Sequence, residues 1–215
     1  MTTPHIRLGR AALAALACAI SGSSLAVPVA AADPVPRPLP LPPGGTRLSE
    51  SDRLSLDAAS AACRNGDKDS FVAAFATSAA VRRRYSAPIV ATSLRQVTPT
   101  YRVLRQARVP AASYGDFPIR MVDHYFKPAK PVRPGDKDEY VLLDINQSQS
   151  NQLSVEWTRV HFDGRTEGGD DLGRAFMLDG KPYVSGGVRT DGQLLFEPAA
   201  GCWRLVSDIR HKHGG

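Results

Sequence analysis

Apolar residues along this chain recur first at helical spacing and then at strand spacing. Leu54, Leu56, Ala59 and Cys63 fall near the period of a helix. Ser49, Glu50, Ser51 and Asp52 precede them and offer side-chain oxygens to the amides of a first turn. Asn65-Gly66 closes that helix, because both residues tolerate left-handed backbone. Asp67 caps a second helix, in which Phe71, Val72, Phe75 and Ala76 form a compact apolar face. A short third helix is expected over residues 78–85, with Pro88 stopping it.

Beyond Pro88 the pattern changes to extended segments. Strands are expected at 89–97, 119–126, 139–146, 153–162, 174–178, 183–189, 194–197 and 202–209, while 98–118 carries no assignable pattern. Asp163-Gly164, Asp179-Gly180 and Asp191-Gly192 supply hairpin turns with positive φ. Strands running after a helical start indicate an α+β fold, with helices packed on a mostly antiparallel sheet. No internal repeat is visible.

The first residues read as an address. Arg7 and Arg10 precede an apolar stretch at 11–20, and a small-residue region ends at Ala30-Ala31-Ala32. A basic start, a short apolar middle and an A-x-A site make a secretory signal peptide over 1–32, too short in its apolar part for a membrane span. Ala15-Leu16-Ala17-Cys18 partly resembles a lipobox, so a lipid anchor at Cys18 stays open and is the one membrane attachment expected. The segment 33–48 holds six prolines within 33–45 and reads as an extended tether. One α+β domain is expected over 49–210, followed by a tail at 211–215.

The chain has 215 residues, 42% of them hydrophobic and 22% charged, enough for a core and against wholesale disorder. Its formal charge of +6 falls to +4 once Arg7 and Arg10 leave with the signal. An exported protein with so mild an excess is not expected to bind nucleic acid, and the charge reads mainly as solubility. Export also changes the cysteine count, leaving Cys63 and Cys202 of the original three. Two cysteines in an oxidising compartment read as one disulfide, here joining the first helix to the last strand. Buried thiols are the alternative, and a catalytic pair is disfavoured by the lack of a C-x-x-C motif.

Ala-Ala-Cys-Arg-Asn-Gly-Asp (61–67), Phe-Val-Ala-Ala-Phe (71–75) and the closing Gly-Cys-Trp-Arg-Leu-Val-Ser-Asp (201–208) resemble the nuclear transport factor 2-like superfamily over about 49–210. That resemblance implies a strongly curved sheet wrapped around helices, a cone with an apolar pocket. Members that are isomerases, hydratases or hydrolases use a pocket Asp. Extra sequence at 98–118 departs from the usual pattern, and the paired catalytic Tyr and Asp positions find no match here.

Strand parity supplies the sharpest chemical candidate. Ile119, Met121, Asp123 and Tyr125 would share one face of a strand, setting a carboxylate among apolar neighbours that would raise its proton affinity. Asp123 is then the expected proton-transfer group with Tyr125 beside it, and a strand-end Asp held by an amide or Arg is the bland alternative. Met121 and Trp157 are the candidate ligand-lining residues, although Trp157, alternating with Leu153 and Val155, reads first as core. His124, His161, His211 and His213 do not assemble, so no metal and no cofactor are expected. Asp163, Glu167, Asp170 and Asp171 make a hairpin loop whose spacing is not that of an EF-hand. Arg82-Arg83-Arg84 could grip an anion or simply end a helix. G-x-S-x-G, P-loop, G-x-G-x-x-G and H-E-x-x-H signatures are absent from the sequence.

The leading expectation is an exported, non-catalytic binding protein that uses a pocket or the sheet rim. Its partner would be a small apolar ligand, an envelope protein or a second copy in a homodimer. Two alternatives remain: an isomerase or hydratase working through Asp123, and a periplasmic immunity or inhibitor protein against a cell-wall hydrolase.

Overall fold

Side-chain caps delimit the helices of the computed structural model, which describes residues 48–165, 172–186 and 189–213. Ser49 accepts from the Asp52 amide to start α1 (Glu50–Asn65), and Gly66 ends it at φ 66° with its N–H on Ala62 and Cys63 carbonyls. Asp67 accepts from Ser70 N to open α2 (Lys68–Thr77). Ser78 closes α2 and caps α3 (Ala79–Arg84), accepting from Ala80 N and Val81 N. The expected signal (1–32), the tether up to residue 47 and the loop acids Glu167, Asp170 and Asp171 lie outside the described residues.

Nine strands follow among the described residues: β1 (Ser86–Gln96), β2 (Arg102–Pro110), β3 (Ile119–Val122), β4 (Tyr125–Pro128), β5 (Tyr140–Gln147), β6 (Leu153–Phe162), β7 (Ala175–Met177), β8 (Gly192–Ala199) and β9 (Cys202–Lys212). The main sheet runs β2-β1-β9-β8-β6-β5, with β7 beside the far end of β6, and β3 and β4 form a separate hairpin. Only β1 and β9 pair in parallel; every other pair is antiparallel. The fold is therefore α+β, with helices set N-terminal to a curved, mostly antiparallel sheet that stays open.

The helices fill the sheet's inner face. Phe71 and Phe75 of α2 are buried and meet Phe196 ring to ring at 5.8 and 5.1 Å, while Phe71 also meets Trp203 at 5.3 Å. Leu153, Val155, Leu194 and Leu205 complete this core with no measurable exposure. Each such side chain contributes about 1.5–3 kcal/mol by burial. At the same end, Cys63 and Cys202 stand at disulfide distance with Cα atoms 4.8 Å apart, within the usual range.

Several sequence expectations change. The stretch 98–118 contains β2 and a short 3-10 turn at Ala111–Ser113. The single strand expected at 119–126 is two strands, because Asp123 (φ 48°) and His124 (φ 69°) turn the chain back. Residues 183–186, expected within a strand, form loop and turn instead. Gly164 and Gly180 have the positive φ expected of hairpin turns, at 67° and 80°. Gly192, expected in a turn, begins β8, where a Cβ would lie 2.6 Å from the Trp157 ring and 2.5 Å from Ile209 O. The terminal segment expected as a tail begins inside β9, which runs on to Lys212.

Candidate functional site

The β3–β4 turn sets the fate of the proposed acid. Asp123 and His124 occupy its two central positions, both exposed, so Asp123 does not share a strand face with Met121. Its side chain stands in solvent, not among the apolar neighbours expected of it. Tyr125 is 39% exposed and packs edge-on against Tyr140 at 5.7 Å. Met121 is half-buried opposite Phe126 in this small hairpin, whereas Trp157 is 2% exposed in the main sheet. Trp157 lies against Gly192 and belongs to the core cluster. An open groove does exist between α1 and α2, lined by Leu54, Ala58, Ala73 and Thr77, on the outside of the helix pair.

Other candidates resolve into structural roles. Arg82 donates to Phe75 O (2.9 Å) and Ala76 O (3.0 Å), ending α2, and lies 5.2 Å from the Phe117 ring centroid. His211 Nδ1 and His213 Nε2 both approach Thr190 O, at 3.0 and 2.9 Å, and His161 Nε2 lies 3.1 Å from Asp136. Among the described residues, no three His, Cys, Asp or Glu side chains converge as a metal site.

Sequence reasoning missed a buried polar network. A register shift between Leu195 and Phe196 skips Val206 on β9, which moves Asp208 to the inner side. Asp208 is 1% exposed and accepts from Tyr114 Oη (2.8 Å) and Arg210 Nη2 (2.8 Å). Arg210 Nη1 reaches Asp116 at 2.8 Å, and Lys130 Nζ reaches the other Asp116 oxygen at 2.9 Å. Burial, then the Asp208 charge, pushes the Tyr114 hydroxyl well above the usual tyrosine value. Burial opposes the Arg210 charge, but the Asp208 and Asp116 carboxylates outweigh it and raise its affinity for the proton. Tyr114 already spends its proton on Asp208, so the network ties residues 111–118 to β9.

What remains open is the far edge of the sheet. Among the described residues β2 has no neighbour on its outer side, and every residue from Arg102 to Arg108 is exposed. Tyr101, Val103 and Leu104 are 59%, 51% and 39% exposed there. Arg102 donates to Gln96 at 2.9 Å, whereas Arg105 and Arg108 have no side-chain partner among the described residues. A sequence signal did mark the region: residues 70–115 contain seven arginines and not one acid or lysine. No protein-family model matches this chain, and no curated protein matches it in sequence.

Proposed function

We propose that the chain is an exported, non-catalytic binding protein of the envelope or the secreted space that engages a protein partner through the rim of its sheet. The observation carrying this is β2, a nine-residue edge strand whose outer side meets no other strand among the described residues and which holds apolar side chains in solvent. Soluble proteins usually shorten, cover or interrupt such edges; a bulge at Leu104 interrupts this one, and the regular run 105–110 beyond it stays open. Core side chains fill the sheet's inner face, which favours the rim over a small apolar ligand. Export is supported by the Cys63–Cys202 pair and by the basic-apolar start of the sequence. Among the described residues no helix is long and apolar enough to cross a membrane, which leaves a lipid at Cys18 as the anchor to test. Helices followed by a curved sheet also support membership of the nuclear transport factor 2-like superfamily, which forms part of this proposal. Exposure of Asp123 leaves the isomerase or hydratase alternative without its acid. An immunity or inhibitor protein is the version of the rim reading in which the partner is an enzyme.

Photo-crosslinking in intact cells tests the proposal. A photoreactive residue at Val103 is expected to give a discrete protein adduct, while one at exposed Asp57 on α1 gives none. Equal labelling from both positions, or none from Val103, overturns it.

A further inference from the structure

Resting on that rim reading, we infer that the β2 edge recruits an extended acidic segment of its partner, which adds as a further strand. An antiparallel edge strand turns the N–H and C=O groups of alternate residues outward, and nothing among the described residues receives those of β2. Such an edge satisfies an incoming peptide backbone, which brings both donors and acceptors. A nucleic acid or anionic glycan brings no comparable ladder.

Charge then selects the strand. Arg105 shares a face with Ala107, and the bulge at Leu104, which the β1 register skips, places Val103 on the opposite face with Gln106 and Arg108. An incoming strand therefore meets an unpaired guanidinium on each face, with Ala107 on the Arg105 face and Val103 on the Arg108 face. Cross-strand neighbours stand about 5 Å apart, close enough for carboxylate and guanidinium to pair. β1, directly behind, adds Arg95 and no acid. The same arginines oppose pairing of β2 with a second copy of itself, which would set Arg105 against Arg105 in the register centred there.

The topology places a natural attachment point for the test. Lys212 pairs with Gln96, and Gln96 pairs with Arg102, so the end of β9 lies two strands from the open edge. Three strand spacings, about 14 Å, separate it from an added strand. A Gly/Ser linker of about 12 residues spans that distance and holds a fused strand at millimolar effective concentration. The probe is a fused eight-residue strand with glutamate at every third position, separated by valine and threonine.

Hydrogen exchange at single-residue resolution is the readout. The glutamate fusion is expected to slow exchange of alternate amides within 102–109 by about tenfold or more. Lysine in place of glutamate, or proline in the middle of the strand, abolishes that protection. The double variant R105E/R108E loses protection by the glutamate fusion and gains it from the lysine fusion. No protection by the glutamate fusion, or equal protection by the lysine fusion, overturns the inference. Protection that survives the proline reduces the edge to an anion site and overturns strand addition. If the unfused chain is already dimeric with those amides protected, the occupant is a second copy and the inference fails. A Val103 crosslink without strand protection leaves the rim reading standing and removes only the acidic strand.

Discussion

Asp208 shows how one buried acid governs its surroundings. It receives Tyr114 and Arg210 at 2.8 Å each while being 1% exposed, so its charge is matched by hydrogen bonds instead of by water. Asp208→Ala takes one of two carboxylates from half-buried Arg210 and the acceptor from the buried Tyr114 hydroxyl, and the expected loss is about 3–5 kcal/mol. Tyr114→Phe removes one donor yet leaves the ion pair, so about 1–2 kcal/mol is expected. Urea unfolding of the two variants at neutral pH checks that order, and a reversed order would show the phenol to be the dominant contact. Asp52 offers a separate pH signature. Ser78 Oγ (2.6 Å) and Ser49 Oγ (3.0 Å) donate to it, and these bonds, Ser78 first, hold its carboxyl below 3.8. A lowered folded value stabilises the fold above 3.8 and is lost as pH falls through the folded value. The melting-temperature gap between wild type and Asp52→Asn is thus expected to be full at neutral pH and to close as the pH falls through the folded value, below 3.8. A gap that persists in acid removes the linkage.

At the scale of elements, the sequence was most readable where burial imposes a period. The cap oxygens at Ser49 and Asp67, the short third helix expected over 78–85 and the alternation Leu153, Val155, Trp157 each translate into observed structure. The β3–β4 turn was opaque because neither Asp123 nor His124 is a glycine, although both adopt positive φ. β2 was invisible for the opposite reason. With both faces in solvent, no core demanded alternation from Arg-Val-Leu-Arg-Gln-Ala-Arg, and only the missing acids marked it. Asp208 escaped because the Val206 bulge changed parity two residues before it. Gly192 misled as half of an Asp-Gly turn signal, since its smallness serves the Trp157 ring. Gly192→Ala must displace that ring or the Ile209 carbonyl, and about 1–3 kcal/mol of destabilisation is expected from denaturant midpoints. Trp157→Phe combined with it should recover part of the loss, and strict additivity would contradict the steric account.

Across the whole molecule, the Cys63–Cys202 pair determines how its two halves cooperate. It joins the last turn of α1 to the first residue of β9 across 139 residues of sequence, spanning eight of the nine described strands. Helices and sheet also meet through Phe71, Phe75, Phe196 and Trp203, so the link reinforces a contact that the core already makes. Its main effect then falls on the unfolded chain, whose loop closure restricts the denatured ensemble by up to about 4–5 kcal/mol on the chain-entropy model. Cys63→Ser/Cys202→Ser is accordingly expected to unfold at a lower urea concentration while keeping native far-ultraviolet circular dichroism in water. Loss of a loop constraint also expands the denatured state, so the denaturant slope should rise, whereas loss of core packing alone would leave that slope unchanged. Peptide mapping without reductant supplies the independent check: free thiols at both positions in protein recovered from the envelope would remove the bond and, with it, the strongest physical support for export. The β2 edge provides the final discrimination. It lies beyond β1, away from the linked end of β9, and Gln96 and Arg102 pair near Lys212 instead. Reduction should therefore weaken the fold without changing which amides of β2 exchange fast in the native state. An edge that became protected or disordered on reduction would show that the cross-link shapes the binding rim as well as the core.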